Sequence, residues 1–552
     1  MKKYLFIALA ALGFAACAEK DEMGKQPINN GETEQSYVAV TFTADGVTRA
    51  DEYVVGTDAE RAVNSAYIFF FDKNGNAFTV NGKESHPGDR NYVNVIDDMD
   101  GQPNDADGDA MSNVSDIKDK VIVLEKYKGE YPSQVVAVLN WTPDSTKPAD
   151  YYSLSQLKKE ISTLGNDTTG YVMSNSVYLN ANSEIVDAVA LTEANIAKNE
   201  ADAKANPIVI HVERIAARVD FAALNNGRFN IKRTVMDTVD DQVNGSANET
   251  EVYAQIVGFE LYNDYEKSWL IKRVSESWGL GDAVVGFNWN ESGRYRSFWA
   301  TSLSPADGEN FPANRFSWNS DNTKLDDPQP WVYCGENTRE WNPANDVRTK
   351  VIVKAQLVDK DGNPVEVVSW WGKEYVTEDH LKTVVANTLN TTYFKLVGSE
   401  YVGIEPQDLE CVARNSSEDN AYEVYFCIAQ SKKGENWYKY MDSKYDEIAL
   451  DKLNEELKEV QPALVYKNGM TYYYTDIRHL DKNYEGKLAE YGVVRNHIYS
   501  VNITDITGYG TPVYDPNIEF ETPDKPEDIE TYVAAQINIL SWRVVDNTTE
   551  LK

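Results

Sequence analysis

Apolar residues in this chain fall mostly into short runs with the two-residue alternation of a strand, and only occasionally into the spacing of a helix. In residues 37–43, Val38, Val40 and Phe42 alternate with smaller or more polar neighbours, which predicts a half-buried strand. Residues 66–71 are apolar and lead into Asp72-Lys73-Asn74-Gly75-Asn76, where Asn-Gly signals a hairpin. Residues 351–358, the turn Asp359-Lys360-Asp361-Gly362-Asn363 and residues 365–371 repeat that pattern as a second hairpin. Residues 134–141 form a continuous apolar run of buried-strand length. Residues 208–224 read as one long strand or two abutting ones, with Arg214 and Arg218 inside. Further strands are predicted over 252–262, 422–429, 471–474 and 497–506. Three helices are predicted. Residues 153–161 start with Ser153 and Gln156 in capping-box spacing, 192–205 are Ala-rich, and 443–460 carry Leu450, Leu453, Leu457 and Val460 on one face. Many short strands and few helices point to β-sandwiches with insertions.

The two ends behave differently from this body. Lys2 and Lys3 precede an apolar run, residues 4–16, that is too short to span a bilayer and reads as a targeting segment. It ends Phe14-Ala15-Ala16-Cys17, small residues before a Cys, the pattern of a lipobox, although Phe14 stands where Leu is usual. Residues 18–36 form a polar tether. After the strand over 37–43, residues 44–52 form a polar turn with a single Arg, Arg49, an attractive cleavage point for an Arg-specific protease. At the other end, a Pro- and acid-rich linker over 512–528 is followed by a strand-like tail. Ile537 and Ile539 lie on one face of that tail, and Leu540, Trp542 and Val544 on the other. Left unpaired it would be an aggregation hazard, so it must pair with its own body or a neighbour's.

Composition narrows the function. The chain has 552 residues, enough for two or more domains with their own cores. Its net charge of −35 repels phosphate backbones, so no nucleic-acid partner is expected. Cys334, Cys411 and Cys427 remain after Cys17; their spacing fits no zinc motif, and one bridge plus a thiol or three thiols are both open. His86, His211, His380, His479 and His497 form no metalloprotease pair, and neither a nucleophile elbow nor a phosphate loop is present. No catalytic residue, metal site or cofactor is predicted. The acidic stretches 97–100 and 105–109 lack the EF-hand pattern and read as solvated loops.

Cys17, the N-terminal strand, Thr48-Arg49-Ala50, Val212-Glu213-Arg214-Ile215-Ala216-Ala217-Arg218-Val219-Asp220, Tyr333-Cys334-Gly335-Glu336-Asn337-Thr338, the stretch 491–499 and the tail 534–545 together resemble the fimbrillins of Bacteroidales, the type V pilus subunits. Within that family the likeness is to the shaft subunit of the short (minor) fimbriae of Porphyromonas-type bacteria. The resemblance implies a mainly β fold of two transthyretin-like β-sandwich domains with a few inserted short helices. It implies a signal peptide over 1–17 with lipidation at Cys17, a tether and strand over 18–49 removed by cleavage between Arg49 and Ala50, domains over 50–225 and 226–511 with their boundary between 215 and 265, and a linker and donor strand over 512–552. Its partners would be further copies head to tail, anchor and tip subunits, an Arg-specific protease, and host or other bacterial surface receptors. The location would be a surface fimbria, reached by an outer-membrane lipoprotein precursor. A tip adhesin or anchor of the same family, and an unrelated glycan-binding surface lipoprotein, are the alternatives.

Overall fold

The structure, a computed structural model, describes residues 36–43, 56–80, 90–96, 112–113, 120–124, 130–148, 151–179, 185–236, 248–274, 300–304, 317–319, 323–339, 348–413, 423–479, 490–517, 532–540 and 544–548. It is mainly β, as the alternation predicts. Strands β1 (Ser36–Thr43), β2 (Ala66–Phe71), β3 (Tyr92–Asn94), β4 (Lys120–Leu124), β5 (Gln134–Leu139), β6 (Met173–Asn175) and β7 (Ile208–Arg214) run in the order β3-β2-β5-β6-β7-β1-β4. β7 turns a corner: Val212, Glu213 and Arg214 pair with β6, while Ile208 to His211 pair with β1. The two arms enclose one core, in which Ile68, Phe70, Val135 and Ala137 meet Ile208, Ile210 and Ile122. The other face of β2 and β5 is covered too, by Tyr152, Leu157, Ile215 and Leu270. Burial on both faces explains why residues 135–139 are continuously apolar.

A second sandwich is built from β8 (Ala216–Ala223), β9 (Arg228–Met236), β10 (Glu249–Tyr262), β11 (Trp331–Gly335), β12 (Lys350–Val358), β13 (Met470–Asp476), β14 (Ile498–Thr507), β15 (Thr511–Pro512), β16 (Tyr532–Leu540) and β17 (Val544–Thr548). Its sheets have the orders β11-β8-β14-β16-β17 and β9-β10-β12-β13-β15. Their inner faces share one core, with Phe221 of β8 stacked on Phe259 of β10 at 4.4 Å. The stretch 208–224 is therefore two abutting strands, and the chain changes sandwich at Ile215.

Both predicted turns form, with the same bonds. Asp72 N–H donates to Asn76 O at 3.0 Å and Asp359 N–H to Asn363 O at 2.9 Å. In each, the Asp side chain accepts from the backbone two and four residues on. After the second turn the chain leaves β12. Val367–Trp370 pairs instead with Lys373–Tyr375 and Leu464–Tyr466, at the base of an inserted unit between β12 and β13. That unit has its own core around Leu381, Val385, Phe426, Trp437, Leu453 and Leu457. The span 226–511, expected as one domain, thus holds two cores.

The helices are short: α1 (Asp58–Arg61), α2 (Leu154–Leu157), α3 (Glu200–Ala205), α4 (Glu378–Leu389) and α5 (Leu450–Lys458). Ser153 caps α2, but Ile161 belongs to a strand, Ile161–Thr163, recruited by Lys267–Trp269. The run 192–205 breaks into a 3₁₀ turn and α3, recapped by Asn199, whose side chain accepts from Asp202 N–H at 2.9 Å. In 443–460 the first half is strand Lys444–Ile448, folded back on Trp437–Met441 through Asp442 and Ser443 at φ 49° and 62°. Cross-strand partners outweigh helix propensity in these places. α4 was not anticipated; it is capped by Thr377, which accepts from His380 N–H at 3.1 Å, and Val384 and Val385 blunt its helical signal. The linker also starts later than 512. Pro512 pairs with Thr471, Val513 is buried, and Tyr514 O–H donates to Cys411 O at 3.1 Å.

Candidate assembly site

β1 is paired along both sides. Val40, Thr41, Phe42 and Thr43 register in parallel with Ile208, Val209, Ile210 and His211. Ser36 to Val40 register antiparallel with Leu124 back to Lys120. The three sequence-predicted residues all fall opposite aliphatic positions that are buried: Val38 opposite Ile122, Val40 opposite Ile208, Phe42 opposite Ile210. The strand therefore lies inside the sheet, and without it β7 and β4 would face each other across a one-strand slot floored by core.

The same three-strand arrangement recurs in the second sandwich. There β8 is parallel to β14 and antiparallel to β11, as β1 is parallel to β7 and antiparallel to β4. In the first sandwich the first strand lies beside β7, and in the second the first strand lies beside β14. β8 is held in the chain through Ile215, whereas β1 is joined only through residues 44–55. Sequence reasoning missed this repeat, although the two Asp-x-x-Gly-Asn turns were a signal of it.

The chain re-enters the described structure at Gly56 and is fastened at once. Thr57 and Glu60 cap α1 reciprocally, Glu60 N–H donating to Thr57 Oγ1 at 3.2 Å and Thr57 N–H to Glu60 Oε2 at 2.6 Å. The Glu60 carboxylate is fully buried where the two sandwiches meet. Its Oε1 accepts from Arg218 at 2.9 Å and from Tyr333 O–H at 2.8 Å, and Arg214 Nε donates to Glu60 O at 2.6 Å. Burial alone would raise its pKa, but Arg218, Thr57 N–H, Tyr333 and Arg214 together hold it below the ordinary value. Arg218 also grips Asp220 through two bonds, 2.6 and 2.8 Å. Nearby, buried Arg495 donates to Trp269 O at 2.7 Å and pairs with Glu336 at 3.2 Å.

The C-terminal segment is a hairpin on its own body. β16 runs antiparallel to β14, with Ile537 opposite Val501, Ile539 opposite Tyr499 and Leu540 opposite Ile498, and β17 folds back on β16. β16 ends at Leu540, and Val544 opens the separate strand β17 that pairs with it. β1 and β16 belong to different sheets and do not pair. Cys17, Arg49, Ala50, Trp542 and the acidic stretches 97–100 and 105–109 lie outside the described residues.

His497 Nδ1 is 2.8 Å from Arg495 O, and His479 Nδ1 is 2.8 Å from Tyr499 O–H, all buried. Cys334, Cys411 and Cys427 are free thiols. Among the described residues no group of three His, Cys, Asp or Glu is placed to hold a metal, and no helix is long and apolar enough to cross a membrane.

Residues 464–548, from the strand before β13 to the end of β17, match the family model for the C-terminal part of fimbrillin, the major fimbrial subunit protein type IV. No curated protein matches the chain. Among solved structures, a candidate cell adhesion protein of Parabacteroides distasonis is 12% identical over 91% of this chain and 95% of its own, with a TM-score of 0.38. A fimbrilin (FimA) of Porphyromonas gingivalis W83 is 12% identical over 91% and 96%, TM-score 0.34. The tip fimbrial protein Mfa3 of Porphyromonas gingivalis, with a C-terminal truncation, is 11% identical over 91% and 99%, TM-score 0.30.

Proposed function

We propose, for a chain whose residues 464–548 match the C-terminal fimbrillin model, that it is the shaft subunit of a surface fimbria and polymerises by replacing β1 with a strand from another copy. The match supports a fimbrial or adhesin subunit of the cell surface; the shaft role and the mechanism are our reading. In this reading the precursor is exported as a lipoprotein on Cys17, an Arg-specific protease cuts between Arg49 and Ala50, and the strand carrying Val38, Val40 and Phe42 becomes a dissociable peptide. The observation that carries it is the position of β1, paired on both sides and joined to the body only through residues 44–55. The Glu60 anchor supports it, because it fixes the chain eleven residues past the cut, so that the strand can leave while the body stays folded.

A donor strand entering the slot would gain the ladder that β1 has, at about 0.5–1.5 kcal/mol per hydrogen bond, and about 1.5–3 kcal/mol for each large side chain buried. The tail bearing Ile537, Ile539, Leu540, Trp542 and Val544 is the proposed donor. Head-to-tail addition is heterologous and need not close, which yields filaments. Such filaments would support adhesion and biofilm formation with anchor and tip subunits as further partners. One observation favours a second reading: β16 rests on its own β14, as expected of a tip subunit that donates nothing. Arg49→Ala separates them. In the shaft reading, surface preparations lose their ladder of heat-resistant oligomers and accumulate a folded, lipid-anchored monomer. An unchanged ladder refutes strand removal as the trigger, and no ladder in the parent chain refutes the shaft role.

A further inference from the structure

The inserted unit carries an aromatic face that no described residue covers. Two hairpins, Tyr393–Val397 with Glu400–Gly403 and Trp437–Met441 with Lys444–Ile448, lie side by side in one four-stranded sheet. One face turns Tyr393, Lys395 and Trp437 into the core. Directly opposed pairs on the other face are Phe394 with Tyr438, Leu396 with Tyr401, and Tyr440 with Tyr445. Tyr401, Tyr440, Tyr445 and Leu396 remain 40%, 39%, 39% and 38% exposed. The rings brace one another: Tyr401 stacks on Tyr445 at 3.9 Å, Phe394 meets Tyr445 edge-on at 5.0 Å, and Tyr440 lies 4.8 Å from Tyr445. Such a surface is already ordered, so binding to it costs little side-chain entropy.

Charge indicates what it binds. Elsewhere the chain covers tyrosine rings with its own cations: Arg348 and Arg478 over Tyr491 at 4.3 and 5.0 Å, Arg228 over Tyr253 at 4.8 Å, and Lys458 over Tyr425 at 5.0 Å. Among the described residues no Lys or Arg lies over a ring of this face. Its rim is acidic instead. Glu447 shares the face opposite Tyr438, and Asp442 is exposed in the turn beyond Tyr440, while the one exposed cation on the two hairpins, Lys444, falls on the opposite face with Glu400 and Asp446. A second copy would bring the same carboxylates in a chain of net charge −35.

We propose that this tyrosine face docks a basic segment of another protein, with arginine guanidinium groups stacking on the rings and pairing with the rim carboxylates. The inference does not depend on strand exchange. The test titrates a labelled nine-residue oligoarginine peptide into the full chain at 0.15 M salt, followed by fluorescence anisotropy. Tyr401→Ser with Tyr445→Ser is expected to weaken binding about tenfold or more, and Glu447→Gln about threefold. Tyr445→Phe keeps the ring and should keep most of the affinity, which guards against a folding artefact. The oligolysine peptide should bind several-fold more weakly, since ammonium groups do not stack. Equal binding by the double Ser variant, or equal affinity for arginine and lysine peptides, would overturn the proposal. So would loss, in that variant, of binding to a neutral oligosaccharide or of self-association in sedimentation, because the face would then belong to another partner.

Discussion

Removing the Glu60 carboxylate should cost far more than a surface ion pair, because Glu60 has no exposure and three groups converge on it. In Glu60→Ala, Arg218 keeps Asp220, but Tyr333 O–H and Thr57 N–H lose their acceptor inside the seam. Breaking a buried pair by deleting one partner costs about 3–5 kcal/mol. Glu60→Gln keeps an oxygen for Tyr333 and Arg218 and gives up charge, so about 1.5–3 kcal/mol is expected. The difference should be read from guanidinium melts of the full chain. The pH dependence follows from the depressed pKa. The Glu60 contribution is complete above the unfolded value of 4.5 and is lost as pH falls through the lower folded value, so the parent and Glu60→Gln should converge in acid. Equal stability of all three proteins at pH 7, or a gap between the parent and Glu60→Gln that does not narrow as the pH falls below 4.5, would refute the account of the seam.

Asp264 lies at the other extreme: burial, with Glu266 and Glu260 nearby, pushes its pKa up to about 6. Its ionisation therefore opposes folding, stability should fall as pH rises from about 4 to 6, and Asp264→Asn should raise Tm at pH 7 by a few degrees with the gain shrinking below pH 5. Ile537→Asp with Ile539→Asp puts carboxylates opposite Val501 and Tyr499 in the resting hairpin and into the slot during exchange; oligomers should vanish while the monomer Tm moves by a few degrees, and global unfolding of the monomer would show that the tail completes its own domain. Iodoacetamide in native buffer should label Cys427 ahead of buried Cys334 and Cys411, and faster labelling of Cys334 would contradict the packing of the second core.

Alternation and turn chemistry carried much of the fold. Val38, Val40 and Phe42 register with Ile122, Ile208 and Ile210, and both Asp-led turns formed with the bonds their residues imply. Three things were not legible. Residues 444–448 and 161–163 became strands because a partner strand lay alongside, which local periodicity does not encode. The inserted unit was hidden because its strands show the same alternation as the sandwiches, and only contacts reveal a separate core. The anchor joins Glu60 to Arg218 and Tyr333, each more than 150 positions away in sequence, so one carboxylate in a polar stretch gave no sign of it. Arg214 and Arg218, conspicuous inside an apolar run, were the visible half of that network.

The central claim is that β1 is cut away before one copy joins the next, and the first residues of the assembled subunit test it most directly. Filaments sheared from the cell surface, dissociated and subjected to N-terminal sequencing, should read Ala50-Asp51-Glu52, with no peptide from residues 17–49 in the preparation. Polymerised subunits that still begin at a lipidated Cys17 would contradict the account.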